Sequence, residues 1–159
     1  MKFEARCCAS HRGTRVETVR LPGVNRTLVI IKPDAVERGL VGEVISRFER
    51  RQLRVVAAEL RVIDVATARR HYAEHEGKPF IDRVVAGLTR SPSLILIVEG
   101  PGETWKVIRA MIGATDPAEA APGTIRGDLA IDMSENVIHG SDSVASAQRE
   151  IAIFFPDLA

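Results

Sequence analysis

The run Ser93-Leu-Ile-Leu-Ile-Val-Glu99, closed by Gly100-Pro101-Gly102, constrains the fold more than any other stretch of the chain. Its continuous apolar character, its length and its turn-forming close predict a buried strand. Thr27-Leu-Val-Ile-Ile31 is a second β-branched run, consistent with a central strand covered on at least one face. Lys32-Pro33-Asp34 ends it. Pro33 offers the ladder no N–H and restrains Lys32 to extended backbone, which sets an ammonium at the end of a buried strand.

Helical periodicity lies between and after these strands. Val41, Val44, Ile45 and Phe48 share a face, with Glu43, Arg47, Glu49, Arg50 and Arg51 opposite, and predict an amphipathic helix over residues 41–52. Residues 55–63 read as another strand. Asp64 is placed to cap a helix that carries His71, Tyr72 and His75. Gly77-Lys78-Pro79-Phe80 breaks that helix, and Pro79 suits the first turn of the next, with Ile81, Val84, Val85 and Leu88 turned inward. Trp105, Ile108, Met111 and Ile112 mark a helix after Gly102, with Arg109 off its most apolar stripe. A Pro-, Gly- and Ala-rich loop is expected from Gly113 to Gly127, containing Thr115 and Arg126. Leu129–Asp132 is predicted as a short fourth strand, and Ser143 as the cap of a last helix that buries Ala147, Ile151 and Phe154. This order fits an α+β architecture, an antiparallel sheet with helices on one face, as well as it fits a parallel sheet.

A chain of 159 residues with 45% hydrophobic content holds one domain with a sizeable core. Residues 1–25 stand apart: Arg6, Arg12, Arg15 and Arg20 are set among small and polar residues, and a poorly ordered extension is expected there, with the domain at 26–159. Its composition fits a solvated tail, an upstream translation start or an organellar transit segment. The net charge of +1 gives no global field for nucleic acid, and no apolar run reaches membrane-spanning length. The adjacent Cys7 and Cys8 suit neither an internal disulfide nor a paired metal motif, so a reducing cytoplasm is expected.

No glycine-rich phosphate loop is present, so any phosphate must be held by side chains. Lys32, Arg109 and Arg126, with Thr115, supply suitable donors. The segment Asn136-Val-Ile-His139-Gly-Ser141-Asp142-Ser143 supplies an imidazole that can attack phosphorus while neutral. Rival chemistries fit less well. Ser141 and Asp142 lie too close to His139 in sequence for a hydrolase triad, and no nucleophile elbow occurs. His71 and His75 have zinc-pair spacing without the intervening Glu of H-E-x-x-H.

Taken together, Arg26-Thr-Leu with Ile31-Lys-Pro-Asp34, His71-Tyr-x-Glu74 with Lys78-Pro-Phe80, Pro122-Gly-Thr-Ile-Arg-Gly-Asp128 and Asn136-x-x-His-Gly-Ser-Asp-Ser143 resemble the nucleoside diphosphate kinases, in family order. The resemblance runs from about Arg26 to Phe155. It implies a ferredoxin-like βαββαβ sandwich with a four-stranded antiparallel sheet, and a ping-pong transfer of the γ-phosphoryl from a nucleoside triphosphate, typically ATP, to another diphosphate. It implies His139 as the nucleophile, phosphorylated at its pros nitrogen. Lys32, Tyr72, His75, Arg109, Thr115 and Arg126 match groups that contact the phosphates or support the nucleophile. Asn136 and Lys32 match positions near the sugar hydroxyls, Phe80 the ring that stacks on the base, and Ser141 and Glu150 the groups that support the histidine. Mg²⁺ held mainly by the nucleotide, and a homotetramer or homohexamer, are also implied. Ile81 after Phe80 and Arg90-Ser-Pro-Ser93 depart from the common pattern at positions with no implied catalytic role. A regulator that has lost turnover would lack the matched His, Lys or Arg; an RNA-binding sheet would want more than one Trp, one Tyr and five Phe.

Overall fold

The computed structural model describes residues 24–159, in which β1 (Val24–Ile31) leads through a short α1 (Pro33–Glu37) into α2 (Val41–Arg50) and β2 (Arg54–Arg61). Two helices follow, α3 (Val65–His71) and α4 (Ile81–Thr89), then β3 (Ser93–Pro101) and α5 (Thr104–Ile112). After α6 (Ile125–Leu129) come the three-residue β4 (Ile138–Gly140) and α7 (Val144–Phe154). The strands form one sheet in the order β2-β3-β1-β4, antiparallel at each pairing. With α2 and α5 as crossovers this is the ferredoxin-like βαββαβ arrangement, and α3, α4 and α7 are additions to it. Up to residue 23, the expected N-terminal extension lies outside the described residues; Val24 and Asn25 pair with Pro101 and Gly100.

The two continuous apolar runs become the two central strands because the sheet is covered on both faces, not on one. Leu28, Ile30, Ile95 and Ile97 face α3, α4 and α7, where Ala68, Val85, Leu88, Ile151 and Phe154 meet them. Val29, Ile31, Leu96 and Val98 face Val44 and Phe48 of α2 and Ile108 and Ile112 of α5. All eight of these strand residues are fully buried. At about 1.5–3 kcal/mol per fully buried aliphatic side chain, this centre is the rigid part to which the site is attached. Every residue of β2 is at least partly exposed, as befits an edge strand.

Local chemistry sets the helix starts. Asp64 accepts the Thr67 N–H at 2.8 Å and Ser143 accepts the Ser146 N–H at 3.0 Å, each cap standing where its sequence places it. Lys32 is extended (φ −72°, ψ 166°) before Pro33, which opens α1. The fourth strand, however, is not Leu129–Asp132. Thr124 accepts the Gly127 N–H at 3.1 Å and starts a helix that ends at Leu129, with Ala130 as its C-cap, so this stretch closes α6. The fourth strand is Ile138–Gly140 instead. Three residues around a polar functional side chain carry too little alternation to be read as a strand, and only pairing with β1 makes them one.

Gly127 is fixed by contact. A Cβ there would lie 2.2 Å from the Ala121 carbonyl oxygen and 2.9 Å from that of Ala120, and neither belongs to a side chain that can turn away. Gly127→Ala should therefore lower unfolding stability by about 1–3 kcal/mol, measured by urea titration.

Candidate active site

Register delivers the nucleophile candidate. His139 pairs directly with Ile30 across β4 and β1, so its side chain shares the face of Ile30, under α3 and α7. On the other face, a Cβ on Gly140 would lie 2.7 Å from Ile112 and 3.1 Å from Ile108, so α5 seats closely on the short strand. Glu150, buried on the inner face of α7, meets His139: Oε2 lies 3.1 Å from Nε2 and accepts the Ser141 hydroxyl at 2.7 Å. Ser141 is itself fixed, since its Oγ accepts the Leu28 N–H at 3.2 Å. A carboxylate facing Nε2 places the ring proton there, which leaves the lone pair on Nδ1.

The turn into β4 is strained and held. Val137 is β-branched, fully buried and at φ +56°, a left-handed conformation that costs about 1–3 kcal/mol. The Ile138 N–H bonds back to the Asn136 carbonyl across it at 2.7 Å. Buried Asp34 on α1 accepts the Val137 N–H at 2.9 Å, and the Lys32 N–H donates to the Val137 carbonyl at 2.9 Å. Arg126 completes the clamp from α6, donating to the carbonyls of Asn136 (3.2 Å) and Ile138 (2.7 Å), and to those of Gly113 and Ala114.

A cavity of about 470 Å³ opens above His139. Lys32 stands on one wall, its ammonium donating to Asn136 Oδ1 at 2.6 Å, while Asn136 Nδ2 donates to the Thr115 carbonyl at 3.2 Å. Burial and, after it, the Arg126 charge push the Lys32 pKa down to about 8, against a smaller opposing pull from Asp34. Arg126 is lowered to about 10, by burial first and then by Arg109. Mutual repulsion among buried cations marks a place that an anion would relieve. Tyr72 is raised to about 12 by burial and by the Glu150 charge, so its hydroxyl stays protonated and can donate.

Ten of the side chains singled out in the sequence line this cavity: Lys32, Tyr72, His75, Phe80, Arg109, Thr115, Arg126, Asn136, His139 and Glu150. Ser141 stands behind them, sealed from solvent. Their circumstances differ. Among the described residues the Arg109 side chain makes no hydrogen bond and no ion pair, so its guanidinium is available, whereas most of the Arg126 donors are already engaged with backbone. His75 Nδ1 lies 2.9 Å from Lys78 Nζ, near the rim. Phe80 is 42% exposed at the mouth.

Sequence reasoning named His71, Asp34 and Glu74 in its motifs without giving them a role in the site, and passed over Met133 and Arg149. His71 ends α3, packs edge-on against His139 with ring centroids 4.6 Å apart, and is held neutral, its pKa pushed well below the ordinary range by burial and by its positive neighbours. Met133 is 53% exposed and lines the same cavity as Phe80. Glu74 and Arg149 pair beside the opening. Only burial and long-range contact distinguish these residues, and neither has a local signature.

A carboxylate-braced imidazole thus stands on a ferredoxin-like sheet beneath a cation-walled cavity with an exposed ring at its mouth, an arrangement suited to phosphoryl transfer. The comparisons with known proteins narrow this. The family described as Nucleoside diphosphate kinase matches residues 25–159, and the chain belongs to that family. It is 54% identical over 136 residues to a nucleoside diphosphate kinase of Thermobifida fusca, covering 86% of this chain and all of that one. To a Mycobacterium leprae nucleoside diphosphate kinase it is 56% identical over 134 residues, covering 84% and 98%. Its fold is similar to a Halobacterium salinarum nucleoside diphosphate kinase solved in complex with CDP, with a TM-score of 0.80 and 44% identity over 82% of this chain and 87% of that one.

Asp34 tests the clamp. Asp34→Ala leaves the Val137 N–H buried without its acceptor, and should cost about 1–3 kcal/mol in thermal or urea unfolding. By letting Asn136 and His139 drift, it should also lower phosphoryl-transfer kcat roughly 10- to 100-fold.

Proposed function

We propose that the nucleoside diphosphate kinase activity of this chain runs through His139 Nδ1, carried by the domain at residues 26–159. The observation that carries this is the Glu150–His139 bond, which leaves the other ring nitrogen of a partly exposed histidine to the cation-walled cavity. In the first half-reaction Nδ1 attacks the γ-phosphorus of a nucleoside triphosphate. The P–N bond forms as the bond from the γ-phosphorus to the β,γ-bridging oxygen breaks, and the diphosphate leaves with that oxygen. In the second, a terminal oxygen of another diphosphate attacks the same phosphorus and returns the electron pair to Nδ1.

Each supporting group follows from charge. As Nδ1 bonds to phosphorus, positive charge spreads to Nε2, where Glu150 stabilises it and Ser141 keeps Glu150 in place. The phosphoryl in transit carries negative charge on its equatorial oxygens, which Lys32, Arg109 and Thr115 are placed to meet, with the Tyr72 hydroxyl as a donor. Arg126 contributes its field and holds the 113–114 and 136–138 backbone. His75 adds a donor at the rim; Lys32 and Asn136, joined to one another, are assigned to the sugar hydroxyls. Phe80 stacks on the base at a cavity that Met133 also lines, and stacking without base-edge contacts accepts purines and pyrimidines alike. The CDP in the Halobacterium structure supports a diphosphate as ligand.

Mg²⁺ fits this site only with the nucleotide. Glu74 is taken by Arg149 and Glu150 Oε2 by Ser141 and His139, so a hard, oxygen-seeking Mg²⁺ would be held mainly by the phosphates, whose charge it would offset. We place the protein in the cytoplasm, as its adjacent thiols and its substrates suit. We also assign it a homotetrameric or homohexameric assembly: Leu60 on the edge strand β2, at 60% exposure, Val62 just after it, at 56%, and Ile131, at 71%, offer apolar surface for contact between copies.

Incubation with ATP labelled on its γ-phosphate should leave one acid-labile phosphohistidine per chain, discharged by added nucleoside diphosphates. His139→Ala should abolish the label and lower transfer by on the order of 10³-fold or more; transfer persisting in that variant would sink the mechanism. Because the ammonium is the form that meets phosphate, a Lys32 pKa of about 8 places an alkaline fall in kcat/KM near pH 8. Lys32→Arg should move that fall upward in a pH profile.

A further inference from the structure

Directly against His139 lies a side chain for which phosphoryl transfer has no chemical use. His71 is buried at the end of α3, and neither of its ring nitrogens has a hydrogen-bond partner. Burial disfavours its charged form, so it presents a neutral imidazole with an unshared lone pair, the form in which histidine ligates transition metals. Two further ligand groups converge on it. His71 Nδ1 is 3.9 Å from Glu150 Oε1, and Glu150 Oε2 is 3.1 Å from His139 Nε2. One ligand atom from each of the three residues lies within 4.8 Å of the other two. Around tetrahedral zinc, with bonds of about 2.0–2.2 Å, neighbouring ligand atoms stand roughly 3.5 Å apart. The widest gap must therefore close by roughly 1 Å, within reach of a small turn of the imidazole and of the Glu150 carboxylate.

We infer that His71, His139 and Glu150 form an inhibitory site for zinc or a similar divalent transition ion, with its fourth position open to the cavity. Two imidazoles and one carboxylate are a zinc ligand set, whereas Mg²⁺ prefers oxygen and keeps its waters, so the site discriminates against the ion that accompanies the nucleotide. Inhibition follows from the tautomer. Neutral His139 carries one ring proton, on Nε2 toward Glu150. A metal taking the Nε2 lone pair requires that proton to move to Nδ1; the ring stays neutral and no proton is lost. Nδ1 then has no lone pair for phosphorus. This consequence rests on Nδ1 being the nucleophile, while the binding of the ion does not.

The test uses the full chain, stripped of metal by a chelator and free of nucleotide. Co²⁺ is the first probe, because four-coordinate cobalt absorbs strongly in the visible. One Co²⁺ per chain with that absorption is expected, displaced by Zn²⁺. At saturating magnesium nucleotide, Zn²⁺ should slow phosphoryl transfer at least ten-fold, on the order of a 1.4 kcal/mol change in barrier, and a chelator should restore it. His71→Phe keeps a ring in the packing and removes the ligand: it should lose the cobalt spectrum and, against its own metal-free rate, need at least ten-fold more Zn²⁺ for half-inhibition. In the unaltered protein, which requires no variant to fold, Zn²⁺ should shift the imidazole resonances of His71 and His139 and leave those of His75. Absence of the cobalt absorption, or Zn²⁺ shifts confined to His75, would overturn the site. A cobalt spectrum with undiminished transfer would overturn the inhibition. Failure of phosphohistidine labelling in metal-free protein would instead strike the proposed nucleophile.

Discussion

The contact on which the rest of the site depends is the one between Glu150 and His139. It joins the last helix to an edge strand of three residues, and it decides which imidazole nitrogen faces the cavity. A carboxylate this deeply buried is costly unless its oxygens are satisfied. Ser141 and His139 both bond to Oε2, and Ser141 is anchored to the central strand through Leu28. The carboxylate proposed to stabilise a phosphorylated imidazole is thus fixed by the best-packed part of the sheet.

A second constraint acts at the entry to the same strand. Val137 stays in a left-handed conformation because its N–H, its carbonyl and both neighbouring carbonyls are engaged, by Asp34, Lys32 and Arg126. Lys32, which reaches the turn with its backbone N–H, and Arg126, which reaches it with its side chain, line the cavity as well. The Arg126 guanidinium therefore holds the turn that carries His139 while adding its charge to the cavity, so strain, positioning and electrostatics share one set of hydrogen bonds. Arg126 shows how this differs from a reading by residue type. As a guanidinium it looks like a phosphate fork, yet buried among carbonyls it is first a strut, and its charge acts through the field.

Much of this was legible before folding was considered. The runs at 27–31 and 93–99, the breaks at Pro33 and Gly100-Pro101-Gly102, and the caps Asp64 and Ser143 are local chemistry, and local chemistry survives into the structure. The segment around β4 was not legible. Pairing with β1 makes Ile138–Gly140 a strand, whereas Thr124 turns the nearby apolar residues into the end of a helix. Helices on both faces of the sheet were equally hidden, since a run of apolar residues does not say how many layers cover it.

By itself the sequence determined which groups were available: one imidazole in a small polar segment, two arginines and a lysine for phosphate, and a phenylalanine at a helix junction. Their order along the chain was enough to place it in a family. Tertiary structure alone decided which nitrogen of His139 is free, that Asp34 and not Asp142 supports its turn, and that His71 lies against it with both nitrogens unpaired. Those outcomes depend on register and burial, which arise from contacts between residues as far as 113 positions apart and leave no trace in local composition.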